Sequence, residues 1–446
     1  MTDFNSIINT LPGLTIYRNI LKDPVVKAVI EHLHALTTRT GAIHPAHSYG
    51  GVYHLLAMTG NPCNGADAWQ NHLLELILND VNPFSQAAFA PGKNVNIFMP
   101  AIQWDLSILR NLYNTSALEI YNATVQALQS FLPDGESPAL PVWTVPEPAN
   151  QECSVLNNQR QQIKENLANT QEWDKLAEKL THYYATFGCG VFNRYTAFRW
   201  QNGALQGICK PDTIKLGDLI GYVDIREQII ANTLQFLNNY PANNLLLYGD
   251  RGTGKSSTVK ALLNEYWSRG LRMVEVPKKQ LAEYQYIIQK LRHTKHRFIL
   301  FVDDLSFEEN ETEFKDLKAL LEGGIEDKPD NVLIYATSNR RHLVKETFAD
   351  RTKNDAGREI HTMDSVQEKL SLADRFGITV IFPTPDQETF LKIAVGLAEQ
   401  RQLPLPQQEL RQRALQWSIW HNGRSPRSAR QFVDHLEGQL AMEKLA

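Results

Sequence analysis

The chain has 446 residues, 43% of them hydrophobic and 21% charged, with a formal net charge of −4. That length allows two or three domains with cores of their own, and the composition is ordinary for a soluble globular protein. The slightly acidic balance excludes a global positive field for nucleic acid or anionic membranes. No uninterrupted apolar run approaches the roughly 20 residues that span a bilayer.

The opening residues, MTDFNSIINTLPGL, have no basic stretch followed by an apolar core, so no signal peptide is expected and the chain reads as cytoplasmic. Cys63, Cys153, Cys189 and Cys209 are scattered without paired metal-ligand spacing, the pattern of reduced thiols. His32 and His34, like His44 and His47, are close in sequence but have no carboxylate or cysteine at ligand spacing, so no zinc site is expected.

Residues 1–131 place apolar side chains at helical spacing, as in Trp69, Leu73, Leu74, Ile77 and Leu78, or Trp104, Leu106, Leu109 and Leu112. A further stretch runs from Leu118 to Leu132. A mostly helical domain is expected, and its sparse charge between residues 40 and 130 suits either buried or partner-facing surfaces. In residues 132–150 the run LPDGESPALPVWTVPEP contains five prolines, which marks a linker or extended strap. Residues 151–212 read as a helical connector, with one long helix from about Ser154 to Tyr184 and then FGCGVFNRYTAFRW. Within 213–385, the runs NNLLLYG, LRMVEV, RFILFVDD, NVLIYATSN and ITVIFP read as buried strands alternating with helices. That alternation predicts a parallel sheet covered on both faces. Residues 386–446 are helical.

Gly249-Asp250-Arg251-Gly252-Thr253-Gly254-Lys255-Ser256 has the spacing G-x-x-x-x-G-K-[ST] in full. The glycines let successive backbone N–H groups turn inward on phosphate oxygens, and the helix that follows, from Lys255 through Ser256 and Ser257, adds its positive N-terminal end. In this reading Lys255 reaches the β- and γ-phosphates of ATP, and the Ser256 hydroxyl ligates Mg2+. The strand Phe298–Val302 ends in Asp303 and Asp304. A carboxylate at that edge can hold Mg2+ through its water shell, a role given to Asp303, while Asp304 becomes the candidate that polarises the attacking water. Glu308 and Glu309 are alternatives to Asp304, which is one methylene shorter than the glutamate usual there.

The order of these elements over residues 213–440 resembles that of AAA+ ATPases. The resemblance implies an α/β P-loop core, a parallel sheet flanked by helices, with a C-terminal helical lid beside the mostly helical N-terminal domain. It also implies a polar sensor at Asn339 and an arginine finger at Arg375 in LADRFG, acting on a neighbouring subunit's nucleotide. Arg340, Arg341, Arg351 and Arg358 compete with Arg375. A second sensor falls on Arg427 in HNGRSPRSARQF, with Arg430 behind it, and Ile220 and Gly221 fall where the adenine is wrapped.

A finer resemblance is to the bacterial ATP-binding family catalogued as domain of unknown function 815. It is carried by FNRYTAFRW, PANNLLLYGDRGTGKSS, FVDDLSFE, YATSNRRHL and LADRFG and reaches back to about residue 180. The implied function is Mg2+-dependent hydrolysis of ATP to ADP in a homo-oligomer or ring that remodels an unknown protein client. A slowly hydrolysing, nucleotide-dependent binding switch is the alternative. A DNA-associated ATPase has only Lys290–Arg297 and Arg424–Arg430 in its support, so nucleic acid is an unlikely partner of an acidic chain.

Overall fold

A computed structural model describes the chain except residues 1–2, 39–43, 60–66, 130–138, 144–155, 307–316, 319–320, 322–328, 340–374, 422 and 444–446, and the Asn157 side chain. Two compact units result, Met1–Tyr195 and Thr196–Ala446. No helix among the described residues is long and apolar enough to cross a membrane.

The first unit is helical: α1 (Phe4–Thr10), α2 (Pro24–Thr37), α3 (Pro45–Thr59), α4 (Ala68–Asn79), α5 (Pro83–Phe89), α6 (Met99–Asn114), α7 (Ala117–Gln129), α8 (Asn157–Asn169) and α9 (Ala177–Phe187). Side chains of Asp23, Asp67 and Asn82 cap α2, α4 and α5 by accepting amide protons of their first turns. Helix α4 buries the face its spacing predicts, from Trp69 to Leu78. Helix α6 buries Leu106, Leu109 and Leu112, but Trp104 is 55% exposed and donates its indole N–H to the Gly13 carbonyl. The fully buried Asp105 accepts the N–H groups of Thr15, Ile16 and Tyr17 at 2.8, 2.7 and 2.8 Å, which compensates its desolvation. His32 is a core residue, its ring nitrogens each 2.8 Å from the hydroxyls of Ser48 and Thr124.

The single helix expected from Ser154 to Tyr184 is two helices. Thr170 is extended, a 3-10 turn spans Trp173–Leu176, and the buried Trp173 indole donates to the Leu167 carbonyl in the last turn of α8 at 2.7 Å. An orphan helix-end carbonyl is thus satisfied by the side chain that turns the chain.

The second unit opens with a hairpin, β1 (Ala197–Gln201) and β2 (Ala204–Gly207), within the segment expected as a helical connector. Its two-residue loop, Asn202-Gly203, has φ of 53° and 72°, the geometry that an Asn-Gly pair favours. The remaining strands are β3 (Leu245–Gly249), β4 (Leu271–Glu275), β5 (Arg297–Val302), β6 (Val332–Ser338) and β7 (Ile378–Phe382), the five expected runs. The sheet order is β2-β1-β4-β5-β6-β3-β7, and every pairing except β1–β2 is parallel. Helices α10 (Val223–Leu237), α11 (Lys255–Tyr266) and α12 (Tyr284–Leu291) belong to the sheet layer; α13 (Gln387–Gln400), α14 (Gln407–Trp420) and α15 (Pro426–Glu443) form a separate apolar cluster around Phe390, Ala398, Phe432 and Val433.

Strand β3 lies between β6 and β7, while the chain leaving it goes to β4 on the far side of β5 and β6. The strand order therefore reverses at β3, and its carboxyl end opens on the crevice where ligands bind in open α/β sheets.

Candidate functional site

The loop after β3 is shaped by its glycines. Gly249 has φ +148°, and a Cβ there would stand 2.0 Å from the Phe382 carbonyl oxygen, so β7 can pair alongside only a glycine. Gly252 and Gly254 have φ of +79° and +95°, and Gly254 forms the N-cap of α11. Lys255 begins that helix, 5% exposed, with its ammonium donating to the carbonyls of Gly249 and Asp250 at 2.8 Å each and to Asn339 Oδ1 at 3.2 Å. Burial draws the lysine pKa below its ordinary value, against the opposing carboxylates of Asp250, Asp303 and Asp304.

Register sets the acidic rim. Val302 pairs with Ala336 and Tyr248 with Ser338, so one step further Asp303 stands beside Thr337, and Gly249 beside Asn339. Asp303 Oδ1 accepts the Ser256 hydroxyl at 2.6 Å and the Thr337 hydroxyl at 2.5 Å. The Asp304 N–H donates back to Thr337 Oγ1 at 3.0 Å, and Asn339 Nδ2 donates to Asp304 Oδ1 at 2.5 Å. One connected polar chain thus runs Ser256–Asp303–Thr337–Asp304–Asn339–Lys255. Asp304 has φ +53°, a left-handed conformation that aspartate and asparagine tolerate best after glycine. The short acid at this position has a backbone reason. The Ser256 hydroxyl and Asp303 carboxylate are hard oxygen donors side by side, which fits a Mg2+ that keeps most of its waters.

The loop and rim form one end of a cavity of about 610 Å³, within the usual size range of small-molecule sites. Beyond the loop and rim the lining is mixed, with Ile220, Tyr222, Ile393 and Leu397 beside Asp218 and Arg226. The segment at 220–222 packs closely on α13: a Cβ on Gly221 (φ +80°) would lie 3.2 Å from Ile393, and one on Gly396 would lie 2.7 Å from Ile220. Tyr222 donates its hydroxyl to the Pro383 carbonyl at 2.7 Å; burial first, then nearby Asp250, pushes its pKa up to about 12. The lid helix α15 meets the loop directly, the Arg427 N–H donating to the Gly252 carbonyl at 3.1 Å. Thr384, after β7, donates its hydroxyl to the Asp250 carboxylate.

Of the residues expected from sequence, Ile220, Arg251, Gly252, Thr253, Gly254, Lys255, Ser256 and Ser257 line this cavity together with Asp303, Asp304, Asn339 and Arg427. Gly221 flanks it beside Ile220. Gly249 and Asp250 do not line it, but their carbonyls hold the Lys255 ammonium that does. Arg375 is not brought in. It precedes β7, whose five residues run about 13 Å from the amino end to Phe382 at the loop. Glu308, Glu309, Arg340, Arg341, Arg351 and Arg358 lie outside the described residues. Thr337, Tyr222, Ile393 and Leu397 escaped the sequence reading. For Thr337 the signal was a hydroxyl at the end of a wholly buried strand beside the acidic one.

The family described as "Protein of unknown function (DUF815)" matches residues 193–440. Comparison with curated proteins gives no match. Among solved structures, the RuvB Holliday junction branch migration motor of Thermotoga maritima is similar at 16% identity and a TM-score of 0.36, over 52% of this chain and 66% of that one. A mutant form of the same motor aligns at 14% identity and a TM-score of 0.37, over 52% and 67%. This chain thus spans just under two thirds of the first motor's length. The family match takes in the whole sheet, the glycine-rich loop after β3 and most of α15, more than half of the chain, which therefore belongs to the DUF815 family.

Proposed function

We propose that the chain binds ATP with Mg2+ in the 610 Å³ cavity and hydrolyses it, as part of a homo-oligomer or ring that remodels a protein client. The observation that carries this reading is the polar chain from Ser256 to Lys255 on the wall of a cavity that also presents the apolar side chains of Ile220, Tyr222, Ile393 and Leu397. That pairing matches a molecule with a flat base at one end and phosphates at the other. Backbone N–H groups of residues 250–256 and the Lys255 ammonium hold the phosphates, and Ser256 and Asp303 hold the metal. Bound magnesium would neutralise charge on the β- and γ-oxygens. Asp304 and Asn339 orient a water on the γ-phosphorus; the new P–O bond forms as the bond to the ADP oxygen breaks, and Asp304 takes the water's proton. Arg427, at the start of α15 and bonded through its N–H to the Gly252 carbonyl, would couple the phosphates to the lid.

Arg375 stands at the opposite strand ends from its own phosphate loop, which supports a role only toward a second chain's nucleotide. A second reading, the slow switch, is favoured by one contact: Asn339 already holds Asp304 at 2.5 Å, so the acid must leave that bond to meet a water.

Steady-state ATP hydrolysis per protomer, measured across a wide range of protein concentration with Lys255→Ala as blank, tests the choice. Turnover that rises with concentration is expected. No turnover above the blank, with ATP bound, would overturn hydrolysis in favour of the switch.

A further inference from the structure

We propose that Thr337 is the positioning residue of this site: its hydroxyl fixes both the carboxylate of Asp303 and the backbone turn that aims Asp304. The inference deepens the magnesium–nucleotide reading above and rests on it.

The argument begins with burial. Thr337 is 1% exposed, near the carboxyl end of β6, a strand with every residue buried. A hydroxyl in that setting requires partners. It has two, both on the acidic turn: it donates to Asp303 Oδ1 at 2.5 Å and accepts the Asp304 N–H at 3.0 Å. Its own carbonyl takes the Leu305 N–H at 2.7 Å. Three bonds from one residue thus grip three successive residues after β5.

Each grip has a chemical consequence. Asp303 Oδ1 is the oxygen that also meets Ser256, so the threonine proton sets which way that carboxylate faces the hydroxyl beside it. Asp304 sits at φ +53°, a conformation that costs energy unless its surroundings compensate, and the bond to its N–H holds it there. From that turn its exposed side chain reaches Asn339. Thr337 touches neither the base end of the cavity nor Lys255 in any hydrogen bond described. Its loss should therefore spare the binding of nucleotide without metal and weaken what the metal adds.

The test compares wild type, Thr337→Val and Thr337→Ser as full-length chains. The dissociation constant of ADP is measured by calorimetry in EDTA and in excess Mg2+, with thermal unfolding as a control for folding. Valine keeps the branched shape and removes the hydroxyl; serine keeps the hydroxyl and removes the methyl. In Thr337→Val the EDTA affinity should match wild type within about twofold, while the gain from Mg2+ should shrink about tenfold, the scale of one hydrogen bond to a charged group. Thr337→Ser should restore most of that gain. A full Mg2+ gain in the valine variant would overturn the proposal, as would equal weakening in EDTA and Mg2+, or a serine variant no better than valine. Wild type that binds no ADP under either condition would instead overturn the nucleotide reading itself, and the role of Thr337 with it.

Discussion

The close approach of β7 to the loop after β3 makes a quantitative prediction from two glycines at positive φ whose surroundings differ. Both Gly249 and Gly254 have positive φ, +148° and +95°, so alanine strains the backbone at either site by about 1 kcal/mol or more. At Gly254 nothing lies within 4 Å of the added methyl. At Gly249 the methyl would meet the Phe382 carbonyl oxygen at 2.0 Å and its carbon at 2.9 Å, and both are backbone. The end of β7 must move, which adds an overpacking cost of about 2 kcal/mol. For a unit of this size the totals correspond to a fall in Tm of about 2–4 °C for Gly254→Ala and about 6–12 °C for Gly249→Ala. The displacement also reaches function, because the residues after Phe382 include Thr384, which bonds Asp250. Calorimetric unfolding of the full chain, with ADP binding in parallel, reads both effects. Equal Tm shifts in the two variants would show that the proximity of Phe382 is not what demands glycine at the end of β3.

Lys255→Ala should weaken ATP binding about ten- to hundredfold, the worth of charge-assisted contacts to phosphate, with Tm nearly unchanged; wild-type turnover in this variant would place catalysis elsewhere. Asp304→Asn should cut hydrolysis at least about 100-fold while leaving ATP affinity intact, measured as single turnovers with prebound nucleotide. Arg375→Ala should lower turnover in a homo-oligomer and be rescued in part by mixing with Lys255→Ala chains, since each supplies what the other lacks; unaltered turnover per protomer refutes an interface role. His32 is buried and its pKa is lowered to about 4 by desolvation, so the unfolded state takes up the proton first as pH falls. The stability held above about pH 6.5 should drop by about 3 kcal/mol by pH 4, and His32→Gln should flatten that slope in a denaturant titration.

Strands β3 to β6 were legible because they are largely apolar and mostly buried on both faces, while β7, at the sheet edge, still shows the apolar run ITVIF although Thr379 and Ile381 are exposed. The hairpin was not. Strand β1 alternates buried and exposed residues after Phe198, and β2 buries none fully, so neither offers such a run; only Asn202-Gly203 announced it. The break after α8 escaped because no proline or glycine marks it: Trp173 makes it by bonding Leu167, a contact that periodicity does not encode. In the site, the glycine-rich loop from Gly249 to Ser256 could be located whole since its pattern is local to eight residues. Tyr222, Ile393 and Leu397 could not, because they meet only when the lid helices pack on the segment at 220–222.

The acidic rim joins the two scales. A strand's side-chain period is two, so a one-residue slip between β5 and β6 would turn Thr337 away from Asp303 and repack the core on both faces of the two strands at once. The pairing of Phe298 with Val332 through Val302 with Ala336 is held by five residues on β5 that are buried throughout. The apolar core therefore fixes the register, and the register delivers the Thr337 hydroxyl to Asp303. From there the left-handed turn at Asp304 follows, and with it the preference for an acid short enough to sit at positive φ while still reaching Asn339. A glutamate in that turn would be one methylene longer and less tolerant of the backbone. The aspartate thus reads as the acid this turn requires rather than as a weakened copy of another site.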